Sequence, residues 1–403
     1  MAKPWGIIIS DKESGSNWLG TARSLREEGV RVIRLAPKSW CSSKSCTSII
    51  SPYVTEEREF LEFLIKIGKM GMKRSCRDVL FPSTDRSLIL ISKNKEKLED
   101  YFELVASDWK VVEKIVDKSK TYEFAKKLHI PVPETFVCSN INEVKQAAEK
   151  MTFPCLIKPA FSHFYSWKFG KLVEVNSERE LIAGYKAWSR EVTGQKLLIQ
   201  EEIPGGDDQI YELGAVFNKN SEPLAIFLGQ KLRQYPPRFG IGSFTRSVWD
   251  QRLVDLGIRL LKGIRFYGIA SVEFKKDYRT GDFKLLVING RSGTWNYLSS
   301  FCGLNLSYIM YKEAIGEKQK PLSNYSCNYK LGLKWIHLRL DFLSMLKMRK
   351  MDKITFAKWL NSILTAEKTF GVLSPDDPQP FLSEIVTELK NKILFDLKLA
   401  NRL

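Results

Sequence analysis

The sequence lacks any apolar run long enough to cross a membrane. No stretch of its 403 residues approaches the roughly 20 apolar residues that a spanning helix needs. The apolar run near the N-terminus is short and leads directly into Asp11 and Lys12, which is unlike a signal peptide. We therefore expect a cytoplasmic protein with no membrane partner.

Histidine is scarce and the cysteines show no paired spacing. The chain has three histidines and seven cysteines, and no two cysteines form a C-x-x-C pair. A disulfide framework or a Cys/His zinc site is therefore not expected. Reduced and mostly buried thiols agree better with this usage.

Acidic residues are outnumbered by basic ones, and the formal net charge is +17. The basic residues are scattered, however, and no helix-turn-helix, zinc-finger or RNP motif accompanies them. We expect no nucleic-acid partner, but a basic surface of which part faces smaller anionic ligands. Hydrophobic and charged contents of 44% and 27% are those of a folded protein, and the length allows two or three packed units.

The N-terminal part alternates between apolar strands and helical spacing. Strands are predicted at 5–10, 30–35 and 78–82, and helices at 18–28 and 56–67. This alternation is typical of a doubly wound parallel sheet. G-x-G-x-x-G is missing after the first strand, so a dinucleotide site is not supported. The 78–82 strand is followed by Ser83, Thr84 and Asp85. We expect either that Asp85 faces a ligand site at this edge of the sheet or that one of the three residues caps a helix.

A second pattern lies at 268–297, where two short apolar runs flank a turn that contains Gly281. The pattern predicts a β-hairpin. Glu273 lies near the end of the first strand, and Asn289 and Arg291 follow the second. A carboxylate, an amide oxygen and a guanidinium at one end of a hairpin suit a magnesium–polyphosphate site.

Two further segments carry basic residues in unusual surroundings. Lys158 ends the apolar strand of 153–160, where an ammonium is costly unless it meets an anion. The segment 229–247 contains Lys231, Arg233, Arg238 and Arg246. Its prolines and glycines predict a loop, whose cations suit a carboxylate or phosphate ligand. A basic surface loop without a ligand is the alternative.

These segments together resemble the ATP-grasp superfamily. The second hairpin strand, VINGR, is similar to the Glu-x-Asn-x-Arg motif of that superfamily, although Val287 stands where the motif has Glu. The strand FPCLIKPA, the segment VDKSKTYEFAKKLHIPVPET and the stretch LLIQEEIPGGDD match its phosphate-binding strand, its first helical segment and its adenine hinge. The stretch KLRQYPPRFGIGS is similar to the branch of D-aspartate ligase and other carboxylate–amine ligases.

The resemblance implies an N-terminal doubly wound α/β domain, a two-subdomain ATP-grasp fold and a helical C-terminal extension. We place the N-terminal domain at 1–112, the first ATP-grasp subdomain at 113–195, the second at 196–325 and the extension at 326–403. The loop at 161–170 would be a mobile flap over the phosphates, and its aromatic residues would exclude water.

The resemblance also implies the roles of individual residues. ATP would be bound by Lys118 and Lys158 at its phosphates, by the main chain near the hinge at its adenine, and by carboxylates at its ribose. The hinge and ribose residues are Gln200, Glu201, Glu202, Ile203, Asp207 and Asp208. Mg2+, or Mn2+ in its place, would be held by Glu273 and Asn289. Arg291, Lys231 and Arg233 would stabilise the γ-phosphate or the carboxylate substrate.

The implied function is an ATP-dependent ligase that phosphorylates a small carboxylate and joins it to an amine through an acyl phosphate. The ligase would work on small molecules, and its chain would be compatible with a homodimer. Val287 offers no oxygen to metal. Either another carboxylate such as Asp277 or Asp282 replaces the missing Glu, or the chain is a variant of an active ligase, or it is a weakened Mg-ATP-binding protein.

Overall fold

A computed structural model describes residues 3–11, 16–37, 43–161, 170–191, 194, 196–365 and 367–400. Its strands form three sheets that follow one another along the chain. The fold is therefore mixed α/β, with a parallel sheet near the N-terminus and a larger mixed sheet toward the C-terminus. No helix within the described ranges is long and apolar enough to cross a membrane.

The first sheet has five parallel strands in the order β3-β2-β1-β4-β5. Its central strand β1 is buried on both faces, which explains its unbroken apolar sequence. Gly29 has a φ of +71° just after the first helix, a backbone conformation that ends helices and favours glycine. The strands are β1 (Gly6–Ile9), β2 (Val32–Ala36), β3 (Thr47–Ile50), β4 (Asp78–Pro82) and β5 (Phe102–Leu104).

The second sheet has four antiparallel strands in the order β6-β9-β7-β8. Two helices pack against it through a cluster that includes Trp188 and Ile157, neither of which is exposed. The strands are β6 (Thr135–Cys138), β7 (Cys155–Pro159), β8 (Val173–Val175) and β9 (Leu197–Glu201). The sheet therefore continues past residue 195 into the predicted hinge.

The third sheet has seven strands in the order β14-β13-β10-β11-β12-β15-β16. All its pairs are antiparallel except β15 with β16. The strands are β10 (Ile210–Phe217), β11 (Pro223–Tyr235), β12 (Ile241–Val248), β13 (Gly268–Lys276), β14 (Phe283–Asn289), β15 (Lys334–Ile336) and β16 (Lys368–Phe370).

Helices lie between and after these strands. Thr84 caps α3 with a reciprocal capping box, and the Asp117 side chain accepts from Ser119 N–H at the start of α6. The helices are α1 (Asn17–Glu27), α2 (Glu57–Met72), α3 (Asp85–Lys93), α4 (Lys95–Leu98), α5 (Trp109–Val116), α6 (Lys118–Lys127), α7 (Ile141–Lys150), α8 (Glu178–Glu191), α9 (Gln251–Gly263), α10 (Tyr297–Phe301), α11 (Leu306–Ala314), α12 (Leu338–Lys350), α13 (Phe356–Leu364) and α14 (Gln379–Ala400).

The structure confirms the parallel N-terminal sheet and the hairpin of β13 and β14. The prediction of a loop over 229–247 is wrong, because β11 and β12 fill most of it and only a tight turn joins them. Local composition suggested a loop, but the basic side chains of β11 are stabilised by carboxylates from other elements, the partly exposed Glu273 and the fully buried Asp341. The C-terminal segment is not purely helical, since β15 and β16 extend the seven-stranded sheet.

Candidate functional site

A cleft of about 300 Å³ is lined by residues from both the four-stranded and the seven-stranded sheet. Its apolar side chains include Leu156, Ile203, Ile210, Ile241 and Leu286. Its charged side chains are Asp85, Lys118, Lys158, Lys171, Glu201, Glu202, Glu212, Lys231, Arg238, Glu273, Lys275 and Arg291. Cations outnumber carboxylates in this set, so the cleft suits an anionic ligand that also has an apolar part.

Lys158 ends β7 inside this cleft, and only 8% of the residue is exposed. Its ammonium donates to Tyr122 Oη at 2.9 Å and to Gln200 Oε1 at 2.7 Å. Neither partner is charged, and burial lowers the pKa of Lys158 to about 7. A buried amine with only neutral partners is costly to protonate. An anion in the cleft would restore its charge.

Lys118 lies beside Lys158 because the start of α6 is tied to the end of β7. The backbone N–H of Lys118 donates to Ala160 O at 2.8 Å, and both lysines line the cleft. Burial, followed by the charge of Lys158, lowers the pKa of Lys118 to about 7. The structure places both lysines in one cleft, and their contact with phosphate stays a prediction.

Glu273 lies on β13 with its side chain in the cleft. Its carboxylate accepts from Lys231 Nζ on β11 at 2.9 Å, and Lys231 is itself buried. Val287 is paired directly with Glu273 across β13 and β14, and it also lines the cleft. The predicted alignment of the hairpin therefore places an apolar side chain next to the metal-binding candidate.

Glu212 is a second carboxylate in the cleft, on the other side of Glu273. The register pairs Glu212 on β10 with Glu273 on β13. Glu212 is 5% exposed, and its Oε1 accepts from Ser271 Oγ at 2.7 Å. Burial, and then the nearby charge of Glu273, raise the pKa of Glu212 to about 7. Facing carboxylates repel each other unless a cation lies between them.

Arg291 and Asn289 continue the cleft beyond the end of β14. Arg291 Nε donates to Asp85 Oδ1 at 3.0 Å, and its Nη2 is 3.5 Å from Asn289 Oδ1. Both alternatives raised for the 83–85 segment are realised, since Thr84 caps α3 while Asp85 lines the cleft. Asp85 thereby connects the first sheet to the site.

The predicted hinge borders the cleft through Gln200, Glu201, Glu202 and Ile203. The side chain of Glu201 accepts from Arg279 and Lys284. Burial opposes ionisation of Glu201, but these donors and the Glu134 N–H together hold its pKa below the usual value. The main chain of this segment, rather than its engaged carboxylates, is therefore suited to recognise a ligand.

Asp207 and Asp208 do not line the cleft. Asp207 accepts from the backbone and side-chain N–H groups of Gln234 at 3.1 and 2.9 Å and from Arg238 N–H at 2.9 Å. Asp208 is exposed, and its backbone carbonyl accepts from Gln230. We therefore revise the ribose-binding prediction, because Asp207 anchors the β11–β12 turn instead.

Arg233 also lies outside the cleft, contrary to its predicted substrate role. In a regular strand, residues two positions apart, such as Lys231 and Arg233, point to the same face. The pairing of β11 with β12 is irregular between these two residues, and only Lys231 lines the cleft. The guanidinium forms two hydrogen bonds with the fully buried Asp341 of α12, at 2.9 and 2.8 Å. Arg233 therefore attaches the C-terminal helices to the sheet.

We expect Arg233→Met to destabilise the fold by about 3–5 kcal/mol, because it leaves the buried Asp341 carboxylate without its cation. The free energy of unfolding in urea measures this effect. Arg252→Met is the matched control, since its partner Asp250 lies in an exposed pair and its loss should change little. Equal stability of the two variants would contradict the structural role.

The carboxylates suggested as replacements for the missing Glu do not reach the cleft. Asp277 is buried at the hairpin turn, where Arg279 and Lys284 neutralise it. Those contacts, with the Arg279 hydrogen bond first, hold the pKa of Asp277 well below its usual range. Asp282 is exposed in the same turn and lines a different depression. The flap predicted at 161–170 falls mostly on 162–169, outside the described residues.

The donor set fits a magnesium ion. Glu273, Glu212 and Asn289 bring two carboxylates and an amide oxygen into one cleft, and Mg2+ prefers oxygen ligands that include one or two carboxylates and substrate phosphates. Among the described residues, no group of three His, Cys, Asp or Glu side chains is arranged as a self-sufficient metal site. A metal here would therefore need the ligand's own oxygens.

Sequence reasoning missed Glu212, Lys171 and Lys275 as cleft residues. Glu212 had a usable signal, because it is a charged residue within the otherwise apolar strand β10, the same argument that identified Lys158. Lys275 had no such signal in the sequence. Its ammonium donates to the Ile203 carbonyl at 2.6 Å, a contact between distant segments. That contact depends on how the hinge packs over β13.

Comparison with known proteins gives relatives of two kinds, although no model of a protein family matches the chain. It is 25% identical over 339 residues to D-aspartate ligase from Enterococcus faecium, covering 78% of each chain. The biotin carboxylase domain of Hydrogenobacter thermophilus 2-oxoglutarate carboxylase, solved as a dimer with MgADP and bicarbonate, superposes with a TM-score of 0.62. That match has 14% identity and covers 83% of this chain and 74% of the other.

A third similar structure is the L-amino acid ligase of Bacillus licheniformis. Its TM-score is 0.59 at 14% identity, over 80% of this chain and 75% of that one. The fold and these relatives confirm the predicted resemblance to the ATP-grasp superfamily. The similarity to D-aspartate ligase agrees with the predicted resemblance to the carboxylate–amine ligase branch of that superfamily.

Proposed function

We propose that the protein is an ATP-dependent ligase that joins a small carboxylate to an amine through an acyl phosphate. The observation that carries the proposal is the pair of lysines, Lys118 and Lys158, in the same cleft as Glu273 and Asn289. Lys158 is a buried amine whose hydrogen-bond partners Tyr122 and Gln200 are uncharged, and such a group favours a polyphosphate. The oxygen ligands favour the metal that accompanies a polyphosphate.

ATP would lie with its adenine against the hinge and its phosphates toward the lysines. Leu156, Ile203 and Leu286 provide apolar contacts for a base, and the nearby main chain can recognise its edge. Lys158 would hold a phosphate oxygen while Tyr122 and Gln200 orient its ammonium. One structural relative was solved with MgADP and ADP, which supports a nucleotide as the ligand.

Glu273 and Asn289 would hold Mg2+, and Mn2+ has the same ligand preference. When bound, the metal would neutralise charge on the β- and γ-phosphates. Lys231 neutralises Glu273, with its Nζ 2.9 Å from Glu273 Oε2. Lys231 would turn from the carboxylate to the substrate when the metal binds, which makes it the second candidate for contact with the acyl phosphate beside Arg291.

The reaction would proceed in two balanced steps. A carboxylate oxygen attacks the γ-phosphorus and ADP leaves, which gives an acyl phosphate. An amine then attacks the acyl carbon, the C–N bond forms, the amine loses a proton, and phosphate leaves. Arg291, held by Asp85 at 3.0 Å, would stabilise the charge on the transferred group. No protein nucleophile is required.

The proposed division of the chain follows the sheets. The parallel sheet corresponds to the domain at 1–112, the four-stranded sheet to the first ATP-grasp subdomain and the seven-stranded sheet to the second. Because β9 belongs to the four-stranded sheet, the boundary at 195/196 is better drawn after the hinge. A homodimer is proposed from the dimeric state of one structural relative.

Two measurements test the proposal. Isothermal titration with Mg-ADP should show binding, and a panel of amino acids and amines should include a pair that together release phosphate from Mg-ATP. A weakened Mg-ATP-binding protein would bind nucleotide but release no phosphate with any pair. Failure to bind nucleotide would contradict both functions.

A further inference from the structure

The strand register brings three side chains into one row across the sheet. Glu212 on β10 is paired with Glu273 on β13, and Glu273 is paired with Val287 on β14. Directly paired residues project from the same face with Cβ atoms about 5 Å apart, and all three line the cleft. Glu212 therefore flanks Glu273 on one side as Val287 does on the other.

The surroundings of Glu212 keep its carboxylate in this row. Ser271 Oγ donates to Glu212 Oε1 at 2.7 Å, and Asn289 Nδ2 is 3.5 Å from the same Ser271 Oγ. A Cβ at Gly293 would overlap Glu212 Oε1, so glycine there leaves the space that the carboxylate occupies. Through the shared Ser271 hydroxyl, Glu212 is linked to Asn289, the other proposed metal ligand beside Glu273.

We propose that Glu212 supplies the metal-bridging carboxylate that Val287 cannot supply, from the opposite flank of Glu273. This inference rests on the proposed function. A glutamate on the neighbouring strand is one strand spacing, about 4.8 Å, from Glu273. Two carboxylates and the Asn289 amide then face one metal–phosphate cluster. Asp277 and Asp282 cannot take this role, since neither lines the cleft.

Mn2+ binding in the presence of ADP tests the assignment without relying on turnover. Electron paramagnetic resonance titration gives the number and affinity of bound ions. Glu212→Gln should weaken Mn2+ binding by at least about tenfold, the lower range seen even for indirect metal partners. The double variant Glu212→Gln, Val287→Glu moves the carboxylate to the other flank and should restore binding.

Asp282→Asn is the matched control, because it removes a nearby hairpin carboxylate outside the cleft, and it should leave Mn2+ binding unchanged. Glu212→Asp serves if the Gln variant does not fold, since it keeps the charge and withdraws the oxygens by one methylene. Unchanged Mn2+ affinity in the folded Glu212 variant overturns the inference. Wild-type protein that binds neither ADP nor Mn2+ overturns the proposed function instead, and this inference with it.

Discussion

Lys158→Met is expected to lower phosphate release by about 10²-fold or more, the typical effect of removing one preorganised donor from a developing charge. Nucleotide affinity should fall as well, because in the proposed complex the ammonium would contact the phosphates before the reaction begins. Stability should change little, since methionine fills similar space and removes a buried amine whose protonation is costly. Steady-state kinetics, ADP titration and urea unfolding measure these three quantities.

Lys145→Met is the matched control for this variant. Lys145 is exposed on α7, so the same exchange there should leave affinity and turnover at wild-type values. If Lys158→Met loses stability but retains nucleotide affinity, then Lys158 is a packing residue that is satisfied by Tyr122 and Gln200. That outcome would remove the main support for the phosphate site.

Nucleotide binding above neutral pH is expected to take up protons. Lys118 and Lys158 each have a pKa of about 7 in the nucleotide-free protein, mainly because of burial. Near pH 8 both are therefore largely neutral. Phosphates favour the charged form and raise both pKa values, so up to about two protons should be taken up per nucleotide. Titration calorimetry in buffers of different ionisation enthalpy measures this number.

The same pKa shifts make the stability of the free protein depend on pH. A lysine with a lowered pKa in the folded state binds fewer protons than it does in the unfolded state at any pH between the two values. Stability therefore rises as pH increases from about 7 toward the unfolded value near 10.4. Saturating nucleotide should flatten this rise. Binding that takes up no protons at pH 8 would contradict the assignment of these lysines to phosphates.

Much of the fold, and some of the residues that line the cleft, could be predicted from local sequence. The alternation around β1 and α1, and the apolar runs of β13 and β14, depend on short-range periodicity, which the sequence displays directly. Lys158 was recognised because a charge at the end of an apolar strand requires an explanation. The role of Asp85 remained ambiguous, since an aspartate at that position is equally suited to cap a helix and to face a ligand site.

What the sequence could not provide depends on contacts between distant segments. Arg233 and Lys231 belong to the same basic stretch, yet one pairs with Asp341 outside the cleft and the other with Glu273 inside it. Their roles depend on the irregular register of β11 and on the position of α12. The position of Glu212 next to Glu273 likewise depends on the strand order, which places β10 beside β13.

Transfer of oxygen from the carboxylate substrate to the released phosphate distinguishes ligation through an acyl phosphate from simple hydrolysis of ATP. The carboxylate that supports phosphate release is labelled with ¹⁸O, and the phosphate formed with Mg-ATP and the amine is analysed by mass spectrometry. The acyl-phosphate route predicts one ¹⁸O atom in each phosphate, because the C–O bond of the intermediate breaks when the amine attacks. Phosphate without ¹⁸O, which has gained its fourth oxygen from water, would show simple ATP hydrolysis and would contradict the ligase function.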